Sequence, residues 1–180
     1  MPLVEKTFTN RKRVPKNYTG IALFHSHEGK VCKEWYRNGE LHRADGPAII
    51  HEDGPKSWWR HGELHRVKGP AIEYTDGTRE WYLKGKLHRV GGPAIERVNN
   101  TNEWWFEGML HRTDGPAIVS SFYAEWWYYD QIVYRITLKE DYITLEEGLP
   151  CSIIWDKNPI TQKKVLTSSG IKYIPNLPGI

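Results

Sequence analysis

A histidine directly followed by an arginine recurs along the chain at a constant spacing of 23 residues. An imidazole can accept a hydrogen bond or bind a metal, and a guanidinium presents forked N–H donors that match a phosphate. A ladder of such pairs on one face of a protein could therefore bind an anion. The four pairs are His42–Arg43, His65–Arg66, His88–Arg89 and His111–Arg112.

The same pairs also have a structural interpretation, which we prefer. A residue that occurs in every unit must serve something that happens in every unit, which is usually packing or turn geometry. The imidazole would then bond to a turn carbonyl. The guanidinium would bond to backbone carbonyls or to the acids that precede a tryptophan, Glu34, Glu80 and Glu103. The anion-binding interpretation stays open beside it.

A metal site is not predicted. Equivalent histidines in neighbouring β-hairpins would lie roughly 10 Å apart, whereas the bonds to one ion are only about 2 Å long. His25 and His27 would place two imidazoles on one face of a strand, but without a third ligand. We expect neither a metal nor a cofactor.

The residues around each pair repeat with the same period and predict its fold. Each unit reads Trp, a Gly four residues later, then Leu-His-Arg and Gly-Pro-Ala-Ile, with a further turn at sites such as Asp76-Gly77. The first Gly provides a turn position with positive φ, and the proline ends an extended run because it has no N–H to donate. Each unit is thus predicted to be a β-hairpin of roughly two strands. The tryptophans that open the units are Trp35, Trp58, Trp81, Trp104 and Trp127.

The tryptophan and leucine columns are predicted to form one buried stripe, to which the Ala-Ile pairs add. Burial of a Trp and a Leu in each unit contributes several kcal/mol of transfer free energy. The alternative is that the tryptophans form a stacking platform for carbohydrate or bases. The leucines are Leu41, Leu64, Leu87 and Leu110.

The units resemble the MORN repeat, an elongated single-layer β array, over about residues 34–127. Their Leu-His-Arg-x-x-Gly-Pro-Ala-Ile form is similar to a variant in uncharacterised bacterial and phage repeat proteins. The resemblance implies scaffolding, protein contacts or acidic-lipid contacts rather than catalysis. The expected fold is all-β: an elongated single-layer array of antiparallel β-hairpin repeats at 34–127. A tail and cap occupy 1–33, and a C-terminal cap or small docking module occupies 128–180.

The segments that occur once are the better candidates for specificity. Residues 121–129 contain six aromatic side chains, more than the inner face of one strand can hold. Some of them should be covered by the tail or exposed as a contact surface. Trp126 and Tyr128 therefore join the His–Arg pairs as candidate ligand-binding residues. The basic run at 11–16 is interpreted as a solvated tail, and residues 136–150 as one short helix or two strands.

Several classes of function are disfavoured by composition and motifs. A net charge of +3 is too small to indicate nucleic-acid binding, and no apolar run approaches the length of a membrane span. Two cysteines, Cys32 and Cys151, make neither a disulfide framework nor a zinc pattern, which favours a cytoplasmic location. The chain has no Gly-rich phosphate loop, His-Glu-x-x-His or Gly-x-Ser-x-Gly motif. We predict no catalytic residues.

The predicted function is that of a non-enzymatic repeat protein that binds a protein partner, or assembles with itself, through its array and caps. The alternative is a protein that binds a phosphorylated small molecule such as a nucleotide. The Arg column would then hold the phosphate while an aromatic side chain stacks on the base. In a phage setting such a protein would sequester a host signalling nucleotide.

Overall fold

The structure, a computed structural model, describes residues 3–138, 143–147, 163–167 and 170–174. These residues form short β-strands and one 3-10 turn, Arg11–Arg13, which confirms the predicted all-β class built from antiparallel hairpins. The chain divides into two compact units, Met1–His88 and Arg89–Ile180.

In the first unit the main sheet has the strand order β1-β2-β3-β5-β6-β9-β10. All neighbours are antiparallel except β1, which runs parallel to β2. β4 pairs with β3, while β7-β8 and β11-β12 are separate two-stranded hairpins. The strands are β1 (Glu5–Thr7), β2 (Gly20–His25), β3 (Val31–Arg37), β4 (Glu40–Leu41), β5 (Ile49–His51), β6 (Lys56–Ser57), β7 (Trp59–Arg60), β8 (Glu63–Leu64), β9 (Ile72–Glu73), β10 (Arg79–Glu80), β11 (Tyr82–Leu83) and β12 (Lys86–Leu87).

In the second unit the main sheet has the antiparallel order β13-β14-β17-β18-β19-β20, beside the hairpins β15-β16 and β21-β22. The alternative of a helix in residues 136–150 is wrong where the structure describes them, because β19 pairs there with β20. The strands are β13 (Ile95–Glu96), β14 (Asn102–Glu103), β15 (Trp105–Phe106), β16 (Met109–Leu110), β17 (Ile118–Val119), β18 (Tyr123–Tyr128), β19 (Gln131–Leu138), β20 (Ile143–Glu147), β21 (Lys163–Thr167) and β22 (Gly170–Ile174).

A complete repeat contains four short strands rather than the predicted two. In the second repeat these are β6, β7, β8 and β9. The strand is interrupted at Trp58, whose N–H still donates to the carbonyl of Ala71 at 2.8 Å. β8 ends at Leu64, and Pro70, which has no N–H to donate, lies in the segment that leads from it to β9 in the main sheet. Each repeat thus contributes one small hairpin and two strands of the main sheet.

The small hairpins close on two-residue turns in which both central residues are left-handed. In the second repeat φ is 51° at His61 and 76° at Gly62, the geometry typical of a type I′ turn. The predicted role of the turn glycine is confirmed by these angles. At Gly39 a Cβ would also collide with the carbonyl oxygen of Lys16, so that position requires glycine for space as well as for φ.

The most deeply buried column is alanine, not the predicted tryptophan and leucine. The alanine of each Gly-Pro-Ala-Ile block has no exposed surface, whereas Trp58, Trp81 and Trp104 are only partly buried and the leucines are half-buried. The backbone of Ala71, for example, bonds on both sides: its N–H donates to the carbonyl of Glu80 and its carbonyl accepts from Trp58. The alanines are Ala48, Ala71, Ala94 and Ala117.

The fifth hairpin begins one residue earlier than the 23-residue period predicts. The N–H of Arg112 donates to the carbonyl of Trp127 at 3.3 Å, as that of Arg66 donates to Tyr82. Trp127 is therefore equivalent to Tyr82, the residue after the opening tryptophan, and Trp126 takes the opening position. The assignment of Trp127 as the opening residue is wrong.

The missing residue was lost from the turn that precedes this hairpin. The N–H of Ser120 donates to the carbonyl of Tyr123, three residues on, at 2.9 Å. The corresponding bond in the second repeat runs from Tyr74 to Thr78, four residues on. A turn shortened by one residue advances every later position by one.

Candidate functional site

Arg66 lies against Trp58, the tryptophan that opens its own repeat. The guanidinium carbon of Arg66 lies 3.8 Å from the ring centroid of Trp58, and Nη1 donates to the carbonyl of Pro70 at 2.9 Å. A Cβ at Gly69 would come within 3.0 Å of the same guanidinium carbon, which explains the glycine before the proline. These contacts cover the tryptophan and satisfy the proline carbonyl. Arg43 and Arg112 stack on Trp35 and Trp104 in the same way.

Each of the four arginines also pairs with an acid, which comes from one of two positions. In the first and fourth units the acid follows two residues later, Asp45 or Asp114, and accepts from Nε. In the second and third units it follows seven residues later, Glu73 or Glu96, and accepts from Nη1. The predicted partners before the tryptophans are wrong, because those acids bond elsewhere.

The acids before the tryptophans instead bind the polar tip of the aromatic residue two positions on. Glu80 accepts from the hydroxyl of Tyr82 at 3.1 Å, and Glu103 accepts from the indole N–H of Trp105 at 3.0 Å. Ser57, which replaces the acid in the second unit, accepts from Trp59 at 2.7 Å. The column therefore satisfies a donor that would otherwise be half-buried without a partner.

Three of the repeated histidines link their unit to the next small hairpin. Nδ1 of His42 accepts the backbone N–H of His61, at 3.2 Å. His65 accepts from Lys84 and His111 accepts from Tyr129, the equivalent turn residues. The predicted bond from the imidazole to a turn carbonyl is thus wrong in direction: the ring accepts a turn N–H. At the first turn, where no histidine precedes, the hydroxyl of Thr19 accepts the N–H of Asn38. The fourth repeated histidine, His88, lies at the end of the first compact unit, and its backbone N–H donates to the carbonyl of Trp81.

An imidazole that accepts at Nδ1 is neutral, and its environment keeps it so. Burial lowers the pKa of His42, His65 and His111, and nearby arginines lower the first two further. A group whose pKa is lowered by folding stabilises the fold fully above its unfolded value and loses that contribution as the pH falls. We expect the free energy of unfolding to decrease between pH 7.5 and pH 5.5, as the imidazoles of the unfolded chain take up protons at about 6.5.

Urea unfolding at the two pH values would measure this loss. Asp45 and Asp114, whose pKa values are lowered by their arginines, titrate below this window. A chain with His42, His65 and His111 replaced by glutamine provides the comparison. An unchanged pH dependence in that variant would contradict the prediction.

A basic cleft of about 420 Å³ lies between the loop that follows β4 and the region of β7 and of the loop that follows β8. It brings together three of the predicted site residues, Arg43, His65 and Arg66. Arg60 and Lys68 also line it and were not predicted, because neither belongs to a repeated column. Asp45 is the one acid among the residues that line this cleft, and its charge is paired with that of Arg43 at 3.0 Å.

A second cleft, of about 700 Å³, lies in the first compact unit and is lined in part by Arg11 and Cys32, which both contact a buried acid. Glu34 is fully buried and accepts from Nε of Arg11 at 2.6 Å and from the hydroxyl of Tyr36 at 2.7 Å. The basic run is thus not simply a solvated tail. Cys32 lies 3.8 Å from Nε2 of His51, but burial and Glu34 raise its pKa to about 11, so its thiol is not activated as a nucleophile.

The His25–His27 pair does not share a strand face. β2 ends at His25, and His27 lies in the turn that leads to β3. Among the described residues no group of three His, Cys, Asp or Glu side chains is placed to hold a metal ion. No helix among these residues is long and apolar enough to span a membrane.

Four rings meet at the last repeat turn and form what we call the aromatic patch: Phe106, His111, Tyr128 and Tyr129. His111 stacks on Tyr129 with centroids 4.1 Å apart and meets Tyr128 edge-on at 4.8 Å. The exposed fractions of Phe106, Tyr128 and Tyr129 are 38%, 38% and 41%. The predicted surplus of aromatics at the end of the repeats is therefore partly a surface cluster.

The other predicted aromatic candidate, Trp126, is only 2% exposed and packs with Ala124 and Ile136. It lies in the core, so Tyr128 is the one of the two that presents its ring to solvent. The signal that separates them is the one-residue register shift, which sequence reasoning missed. Arg89, the arginine of the third repeat, lies in the second compact unit, where it donates to the carbonyl of Pro93 and to Glu96.

Neither a protein-family model nor a curated protein matches this chain.

Proposed function

We propose that this chain is a non-enzymatic, cytoplasmic repeat protein of MORN-like type that binds a protein partner through the aromatic patch. The exposure of three clustered rings around His111 is the observation that carries the proposal. Tyrosine and other large flat side chains dominate the binding energy of protein interfaces because they bury much area at little entropic cost. A second copy of the chain is one form that the partner could take.

The patch is specific to the last repeat turn. The two residues before the turn glycine of the first unit are Arg37 and Asn38, where the last turn has Tyr128 and Tyr129. The repeat framework does not require aromatics there, since Asn38 has the same left-handed φ. Aromatic side chains that the fold does not need, and that water can reach, are typical of a contact surface.

The repeated residues support a scaffold rather than an active site. The arginines, histidines and acids of the columns bond to their own or the next unit, as described above. The one Cys–His contact among the described residues has an inactivated thiol. The resemblance to MORN arrays, which are associated with protein contacts, agrees with this assignment.

The test is the double variant Y128R/Y129N, which copies the Arg37-Asn38 turn of the first unit and removes both rings. Sedimentation of the purified chain and affinity capture from its native extract would be compared with the wild type. We expect self-association, or retention of a captured protein, to weaken at least about tenfold, as for interface hot spots.

Phe122→Ser provides the matched control, because Phe122 is 72% exposed but lies outside the patch. It should leave both measurements unchanged. A wild-type chain that stays monomeric and captures nothing that the double variant loses would contradict the proposal.

A further inference from the structure

We propose that Arg66, Arg60 and Lys68 form a binding site for a phosphate monoester in the basic cleft. The site lies in the first compact unit, Met1–His88, and does not depend on the aromatic patch. Arg66 differs from its counterparts in the first and fourth repeats in the residue that lies two positions later.

In the first and fourth units an aspartate occupies Nε of the repeated arginine. Arg43 donates to Asp45 at 3.0 Å and Arg112 donates to Asp114 at 2.8 Å. At the same position after Arg66 the chain has Lys68. These two aspartates show that Nε of the repeated arginine can bind a carboxylate oxygen. They therefore indicate where a phosphate oxygen would lie beside Arg66.

The bonds of Arg66 leave that side of its guanidinium available. Its contacts with Pro70 and Glu73 both use Nη1, at 2.9 and 2.8 Å. Nε and Nη2 make no hydrogen bond with the residues that the structure describes. These two groups form a side-on fork that matches two oxygens of one phosphate. Stacking on Trp58 and the Pro70 bond hold the fork in place, so little ordering is needed on binding.

Two further cations face the same cleft. Within the part of the chain that the structure describes, neither Arg60 nor Lys68 has an acidic partner within 4.0 Å. A phosphate monoester carries a charge of about −1.5 to −2 at neutral pH, which two unpaired cations balance. This charge match favours a monoester over a monovalent anion.

No other unit offers the same combination. The positions equivalent to Lys68 are Asp45, Gly91 and Asp114. Those equivalent to Arg60 are Arg37, Leu83 and Phe106. The site is therefore singular, although one of its residues belongs to a repeated column.

Lys68→Asp tests the proposal without endangering the fold, because it recreates the Arg–Asp pair of the first and fourth units. Titration calorimetry would use inorganic phosphate and AMP as probes, with adenosine as the ligand that lacks the phosphate. We expect the wild type to bind both phosphates saturably and adenosine not at all. Lys68→Asp should weaken both at least about tenfold, and Arg60→Ala should weaken them less.

Lys86→Ala removes an exposed cation outside the cleft and should change nothing. Urea unfolding of Lys68→Asp should show a midpoint equal to that of the wild type or higher, which separates lost binding from lost structure. Absence of saturable binding by the wild type, or equal affinities in Lys68→Asp and the wild type, would overturn the proposal. Y128R/Y129N should bind phosphate normally, so this site and the aromatic patch can fail independently.

Discussion

Replacing Arg11 with methionine should lower the free energy of unfolding by about 3 kcal/mol, because it leaves a buried carboxylate without its cation. Glu34 has no exposed surface, and Arg11 contacts its Oε1 through both Nε and Nη2. The hydroxyl of Tyr36 would remain as a neutral donor, at 2.7 Å. Urea unfolding at pH 7 measures the difference.

A double-mutant cycle with Glu34→Gln isolates the charge. Glutamine keeps the volume and an acceptor for Tyr36 but needs no cation, so it should cost less than Arg11→Met. In the Glu34→Gln background the arginine replacement should cost under about 1 kcal/mol, since no buried charge is then left unpaired. The same cost in both backgrounds would show that the ion pair is not the cause.

Replacing Ala71 with leucine should destabilise the fold by about 3 kcal/mol, at the upper end of overpacking effects. Ala71 has no exposed surface, and its backbone is held from both sides. Its N–H donates to Glu80 at 2.7 Å and its carbonyl accepts from Trp58 at 2.8 Å. The strand cannot move away without breaking these bonds, so the larger side chain must displace its neighbours. A thermal or urea unfolding curve gives the loss.

The matched control is Ala44→Leu in the first unit. Ala44 is exposed, and its equivalents Val67 and Val90 are already larger and also exposed. The change there should stay within about 0.5 kcal/mol, as surface substitutions usually do. Equal losses at Ala44 and Ala71 would indicate that the alanine column is not the close-packed part of the fold.

The class of the fold could be predicted because its determinants act over a few residues. Gly62 requires only its own φ, and Pro70 has only to lie outside the strands, because it has no N–H to donate. Both effects can be recognised in the sequence of a single repeat, and they recur in all four. The number of strands in a repeat was missed, because the strand changes partner at Trp58, from β9 to β8, and both partners lie further along the chain.

The contacts of the repeated columns were harder to predict than their existence. Tryptophan was expected to be the most buried because it is the most apolar, but a ring of that size is seldom covered completely. The small hairpins leave room beside it, and Arg66 fills that room. The partner of each arginine was also missed, although the sequence holds a signal: Asp45 and Glu73 occupy different positions, and a unit uses one or the other.

The candidate sites show the same division. The repeat alignment identified Arg43 and Arg66 but could not show that Arg60 and Lys68 face the same cleft. The aromatic run at the end of the repeats was recognised, but a turn shorter by one residue decided which ring is buried. Two adjacent tryptophans, Trp126 and Trp127, hid that shift from a period count.

The histidine links have a consequence for how this protein can change in length. His42 completes the turn of the hairpin after its own, and Thr19 does the same for the first turn. The hydrogen bond that links two neighbouring repeats therefore needs only residues that every such repeat already contains. Duplication or deletion of a whole 23-residue block in frame should leave the remaining links intact, whereas an indel of another size must be absorbed within a turn, as it is between Ser120 and Tyr123, where the link from Tyr129 to His111 is kept.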